Sequence, residues 1–269
     1  MTTANAIRDL VRQRYGAIAA DASSSCCAPA PAASACCGGS EAQEWALRMG
    51  YGEADLAAVG EGANLGLGCG NPQAIADLKP GATAIDLGSG AGFDCFLAAR
   101  QVGPGGRVIG IDMTHEMLAK ARENAAKLGM GNVEFRLGEI EHLPIADASA
   151  DVVISNCVIN LSPDKPAVLR EAFRVLRPGG RLAVSDVVML KPLTPELAEL
   201  KELYVGCVGG AASVDELAGW LADSGFVDVR IEPKPESREL IRGWAPGLGV
   251  EDYVASAVIQ ARKPHAGRP

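Results

Sequence analysis

Between residues 82 and 186 the chain alternates runs rich in aliphatic and β-branched residues with segments whose apolar positions recur at helical spacing. Such alternation leaves one economical packing, a mostly parallel sheet with helices on both faces. Strands are expected at Ala82–Leu87, Arg107–Asp112, Val133–Leu137, Asp151–Asn156 and Arg181–Asp186, and helices at Phe93–Gln101, Met113–Lys127 and Lys165–Val175. The turn Arg177-Pro178-Gly179-Gly180 is expected to stop the last of these helices. Beyond Lys191 the sequence predicts a helix near Pro195–Tyr204, then another opened by a capping box at Ser213 and Glu216 and ending before Gly225. Two β-type runs follow, Val227–Glu232 and Tyr253–Arg262. They are separated by a loop-rich insert without a full crossover helix, so an antiparallel hairpin should end the sheet.

The N-terminal part is of a different kind. Ile7, Leu10, Val11 and Ile18 give an amphipathic helix ending near Ala20. Residues 21–40 are rich in Ala, Ser, Pro and Gly and carry two vicinal pairs, Cys26-Cys27 and Cys36-Cys37, as expected of a linker. A short helix around Glu41 to Met49 and a glycine-dense loop from Gly60 to Pro72 lead into the sheet. The expected organisation is therefore an N-terminal helix and linker over 1–40, a cofactor-binding domain over 41–190, and a sheet-completing region that also closes the substrate site over 191–269.

A net charge of −8 and a pI near 5.0 exclude the basic face that duplex nucleic acid or an anionic membrane requires. No stretch of 18 apolar residues and no export signal are visible, so a soluble cytoplasmic protein is expected. Eight cysteines spread over 269 residues then read as thiols rather than disulfides.

The sharpest local motif is Asp86-Leu87-Gly88-Ser89-Gly90-Ala91-Gly92, which ends one expected strand and opens a helix. Glycine there permits a tight turn and lets a ligand approach bare backbone. The glycines fall as GxGxG, not the GxGxxG of dinucleotide sites. Asp112 ends the next strand, where a carboxylate can accept both hydroxyls of a ribose. With these residues the chain resembles the class I S-adenosylmethionine-dependent methyltransferases. The resemblance implies a Rossmann-like sheet, mostly parallel with an antiparallel last strand. It implies S-adenosylmethionine held by Asp86, Gly88, Ser89, Gly90, Gly92 and Asp112, with Met113 and Asn156 alongside and Ile140 and Glu141 flanking the adenine.

Three cysteines sit where a substrate would lie. Cys69 is in Gly-Leu-Gly-Cys-Gly-Asn-Pro, Cys157 follows the fourth strand, and Cys207 lies in Tyr-Val-Gly-Cys-Val-Gly-Gly. Each taken singly is compatible with inert core, since free cysteine is often buried. The flanking glycines, however, are expected to leave Cys69 and Cys207 poorly covered and approachable, whereas Cys95, inside a helix, reads as core. A methyl donor beside thiols suggests a soft, thiophilic acceptor such as trivalent arsenic.

From about Tyr15 to Pro264 the chain closely resembles the arsenite methyltransferase family, most specifically in residues 64–72, 155–161 and the cysteine at 207. That resemblance implies stepwise methyl transfer to As(III) held by Cys69, Cys157 and Cys207, with arsenite and methylarsenite as substrates and a monomeric enzyme. It also implies that protein cysteines can supply electrons by forming a disulfide, which thioredoxin or glutathione reduces. As(III) held by thiolates keeps a lone pair, so no general base is needed, and His115, His142 and His265 are expected on the surface. The linker pairs are compatible with arsenite capture, labile disulfides or no role. Two other functions use part of the same motif set: a small-molecule methyltransferase with no use for Cys157 and Cys207, and a thiol-based heavy-metal binder with a vestigial cofactor fold.

Overall fold

A computed structural model of the chain describes residues 3–20, 40–60, 62–265 and 267. The pairs Cys26-Cys27 and Cys36-Cys37 lie outside the described residues. The expected N-terminal helix is α1 (Ala4–Ala20), and it is followed by α2 (Ser40–Arg48), α3 (Glu53–Val59) and α4 (Gln73–Ala76). The alternating region then runs β1 (Thr83–Leu87), α5 (Phe93–Val102), β2 (Arg107–Asp112), α6 (His115–Leu128), β3 (Val133–Leu137), β4 (Ala150–Asn156), α7 (Lys165–Val175) and β5 (Leu176–Met189). The remainder comprises α8 (Pro195–Ala198), α9 (Lys201–Val205), β6 (Ala212–Ser213), α10 (Val214–Asp223), β7 (Val227–Lys234), α11 (Arg238–Arg242) and β8 (Val254–Arg262).

The strands form one sheet in the order β3-β2-β1-β4-β5-β8-β7, with the two-residue β6 paired to the end of β5. Strands β1 to β5 are mutually parallel, and β8 runs antiparallel to both neighbours. The hairpin expected at the C-terminus is present, with its second strand inserted next to β5. Apolar clusters fill both faces, which is why the central strands read as continuous hydrophobic runs rather than alternating ones. After β1 the chain winds outward to β3 and then returns to place β4 on the other side of β1. That reversal opens a crevice above the carboxyl ends of β1 and β4, the position at which open α/β sheets bind ligands.

Two expectations are corrected. Residues Arg177 to Gly180 are not a free turn but the start of β5, because Gly179 N–H donates to Lys263 O at 2.9 Å and Lys263 N–H donates to Gly180 O at 2.9 Å. The extra residues are absorbed where the β4–β5 register shifts between Ala150 and Val152. The single helix expected over Pro195–Tyr204 is two short ones, because Leu200 adopts an extended conformation and caps the second. The capping box is as expected: Ser213 Oγ accepts from Glu216 N–H, and the Glu216 carboxylate accepts from Ser213 N–H. Among the described residues, no helix is long and apolar enough to cross a membrane.

Candidate active site

A cavity of about 1040 Å³ occupies the crevice. One end is built by the turn after β1. Gly88 has φ +69°, and a Cβ there would lie 2.4 Å from the Val158 side chain, so only glycine fits. Gly90 N–H donates to Asp112 Oδ2 at 3.0 Å and Thr114 N–H donates to Asp112 Oδ1 at 2.8 Å, which fixes the carboxylate at the end of β2. Burial raises the Asp112 pKa despite these bonds. Asp86 is pushed well above the usual carboxylate range by burial and by Asp94, and the Cys95 thiol donates to it at 3.2 Å. Cys95 is thus core, as expected.

Among the residues expected to bind cofactor, Asp86, Gly88, Ser89, Gly90, Asp112, Met113, Ile140, Glu141 and Asn156 line the cavity. Gly92 does not; its left-handed turn opens α5, and a Cβ would strike Phe96 and Phe135. Among the described residues, Ser89 Oγ on this wall is buried without a hydrogen-bond partner. An orphaned hydroxyl, bare glycine backbone and a pinned carboxylate with lone pairs to spare fit a ligand carrying ribose hydroxyls and a charged polar tail.

The other end is built from remote pieces. Asn156, the last residue of β4, accepts from Cys69 N–H on Oδ1 at 3.1 Å and donates from Nδ2 to Gly70 O at 2.9 Å. This clamp holds the Cys69 loop against the sheet. Cys157 N–H continues the ladder by donating to Ser185 O at 2.8 Å, then the backbone turns at φ +59°. Cys207, just past α9, has φ +63°, and its thiol donates to Cys157 O at 2.9 Å. Two cysteines thus hold the left-handed conformation that costs an ordinary residue about 1–2 kcal/mol. Such strain marks positions where the surrounding fold dictates side-chain direction. The sulfur of Cys69 and that of Cys157 lie within 4.8 Å of each other and of an Asp186 carboxylate oxygen. The Cys207 thiol lies beside this pair, held there by its hydrogen bond to Cys157 O.

The expectation of poorly covered sulfurs is corrected. Cys69, Cys157 and Cys207 are 3%, 9% and 3% exposed, and Cys69 lies behind the cavity wall that the other two line. The glycines serve close approach instead: a Cβ on Gly68 would lie 2.8 Å from Asn156, and one on Gly70 would lie 2.9 Å from Ser185. Burial pushes the Cys69 thiol up to about 11. In Cys157 the contact with Cys207 lowers the pKa, but the contact with Cys69 and burial outweigh it and leave the thiol raised. Cys69 and Cys157 therefore wait as neutral thiols.

Further residues complete the site. Tyr51 OH donates to Asp94 Oδ1 at 2.8 Å, and Asn156 Nδ2 donates to Tyr51 OH at 3.0 Å and to Asp94 Oδ2 at 3.2 Å. Asp94 sits at the first turn of α5, beside the glycine turn. Its place directly after Gly92-Phe93 was the available signal. Helix α1 roofs the cavity: Arg8 pairs with Glu139 and, at 3.1 Å, with Glu141; Arg12 pairs with Glu139 at 2.6 Å; and Tyr15 OH donates to Val205 O at 3.2 Å. Glu141 also accepts from Ser162 at 2.8 Å, so the residue expected at the adenine is at the same time the anchor of α1. His115, His142 and His265 are exposed, as expected.

Residues 78–225 match a methyltransferase domain family model. With the sheet order and the glycine turn above, this makes the chain a class I S-adenosylmethionine-dependent methyltransferase. Over 261 residues it is 52% identical to an arsenite methyltransferase of Halobacterium salinarum, covering 96% of this chain and 66% of that protein. It is 47% identical over 168 residues to an arsenite methyltransferase of Aquipseudomonas alcaligenes, covering 60% of this chain and 49% of the relative. The crystal structure of an arsenic(III) S-adenosylmethionine methyltransferase from Chlamydomonas reinhardtii superposes with a TM-score of 0.61 at 36% identity, covering 76% of this chain and 69% of that one. The chain belongs to the arsenite S-adenosylmethionine methyltransferase family. It spans less than two thirds of the length of the two curated relatives.

Proposed function

We propose that this chain is an arsenite methyltransferase that moves methyl groups from S-adenosylmethionine to As(III) held by Cys69, Cys157 and Cys207. The observation that carries the proposal is the grouping of three thiols, 50 to 138 residues apart along the chain (207 − 157 and 207 − 69), at one end of a cavity whose other end suits the methyl donor. When bound, S-adenosylmethionine supplies an electrophilic methyl group on a sulfonium centre. Asp112 and the backbone of Gly88 to Gly90 hold its polar parts, with Ser89 Oγ as a further partner. The thiols lose their protons as arsenic replaces them, which leaves the metalloid a lone pair and requires no base to free it. Helix α1 excludes water from the space between, which strengthens every electrostatic contact inside.

Methyl transfer oxidises arsenic from the trivalent to the pentavalent state. Two site thiolates, Cys69 and Cys157 being adjacent, return two electrons by joining as a disulfide. An external thiol, thioredoxin or glutathione, then reduces that bond. Methylarsenite re-enters as the second substrate. The enzyme works as a cytoplasmic monomer, the compartment being consistent with free Cys69, Cys95, Cys157 and Cys207.

Incubation with arsenite, S-adenosylmethionine and glutathione, followed by chromatographic separation of arsenic species, tests the proposal. Methylated arsenicals are expected, falling more than about a hundredfold in Cys157→Ser while cofactor affinity is retained. Full activity in that variant would remove the thiols from the mechanism.

A further inference from the structure

The thiol group contains a carboxylate that the arsenic chemistry does not use. Asp186 lies on β5, 2% exposed, beside the loops that carry Cys69 and Cys157. Its Oδ1 accepts from Val187 N–H at 2.7 Å and Asn160 Nδ2 at 2.9 Å, and its Oδ2 accepts from Ile159 N–H at 3.0 Å. A carboxylate has about four lone-pair sites, so the group retains capacity to bind a cation. One ligand atom from each of Cys69, Cys157 and Asp186 lies within 4.8 Å of the others. The edges of a zinc tetrahedron built on ~2.3 Å Zn–S bonds measure about 3.8 Å. A side-chain shift of about an ångström therefore closes these three atoms around a cation, while the Cys207 thiol lies beside them, donating to Cys157 O at 2.9 Å.

As(III) and a divalent soft cation ask different things of such a set. Arsenic is satisfied by three sulfurs in a pyramid and leaves the carboxylate idle. Zinc or cadmium seeks four ligands, and two thiolates with a carboxylate more than offset a dication, leaving the site at minus one. We propose that Cys69, Cys157 and Asp186 form a mixed sulfur and oxygen site for a divalent thiophilic cation, Zn²⁺ or Cd²⁺, which competes with arsenite for the same sulfurs. Binding exchanges two thiol protons for the cation and releases them to solvent, with no change of oxidation state.

The site needs no methyl transfer, and it is tested with the cation alone. The full chain is used with Cys26, Cys27, Cys36 and Cys37 changed to Ser, so that only the buried thiols remain. Cadmium titration, followed by the ultraviolet thiolate charge-transfer band, is expected to show saturable binding abolished by Cys157→Ser and competed by arsenite. Asp186→Asn should weaken Cd²⁺ at least about tenfold while leaving arsenite affinity unchanged. Cadmium X-ray absorption on the chain with Asp186 intact, which does not depend on the folding of that variant, should give a mixed sulfur and oxygen shell. An all-sulfur shell, absence of saturable binding, or equal Cd²⁺ affinity with and without the carboxylate would overturn the proposal. Cadmium bound with oxygen in a protein that binds no arsenite would uphold the cation site but overturn both its competition with arsenite and the arsenic reading.

Discussion

The two ends of the cavity are built by opposite strategies. The donor end is local: a seven-residue turn and one carboxylate at the end of the neighbouring strand, joined through Gly90 N–H to Asp112. The thiol end is assembled from three segments that meet only in the folded sheet, with Asn156 clamping the first and left-handed turns aiming the other two. A local motif tolerates change around it. An assembled site depends on every element that brings its parts together, and it is here that the protein carries backbone strain and buried titratable groups.

Substitutions should therefore separate the two ends. Asp112→Ala should weaken cofactor binding roughly tenfold to a hundredfold, the worth of hydrogen bonds to a charged group, and leave arsenite binding intact. Cys207→Ser should do the reverse. Paired calorimetric titrations with cofactor and arsenite read both, and loss of both ligands from either change would mean that the ends are not independent.

A second contrast is in pH dependence. Cys69 titrates near 9 in an unfolded chain and near 11 when folded, because burial disfavours the thiolate. The folded state therefore holds its proton longer, and this stabilisation is complete below pH 9 and lost as pH rises towards 11. Two units amount to about 3 kcal/mol from this group alone. Denaturant midpoints should fall across that interval in the free protein and much less with arsenite bound, since the metalloid has already replaced the protons. Equal slopes would show that arsenite does not engage Cys69.

The smallest effect isolates strain. At φ +63°, Cys207→Gly should be more stable to denaturant than Cys207→Ala by about 1 kcal/mol, although glycine is ordinarily the costlier residue. The reverse order would remove the left-handed conformation from the account.

Much of the donor end was legible in the chain because its chemistry lies in contiguous residues: the turn from Asp86 to Gly92 and the strand ending in Asp112 are where the alternation of strands and helices places them. The cysteines at 69, 157 and 207 could be picked out by context, but their convergence could not, since it depends on Asn156 reaching back 87 residues to Cys69. The glycines around Cys69 look alike in sequence whether they expose a sulfur or admit a neighbour; the nearness of Asn156 and Ser185 decides for the second. Asp186 ended an expected strand at the ligand-binding edge of the sheet, yet only the register of β5 against β4 brings it to the thiols. The split of the Pro195–Tyr204 region also lies beyond local pattern, because a single extended residue at Leu200 breaks an otherwise helical run.

The convergence of the three sulfurs on one metalloid is tested most directly by arsenic X-ray absorption on the arsenite-bound chain with the four linker cysteines changed to Ser. Three sulfur neighbours are expected, falling to two sulfurs and an oxygen in Cys207→Ser. A shell of fewer than three sulfurs before that change, or the same shell after it, would contradict a site formed by Cys69, Cys157 and Cys207 together.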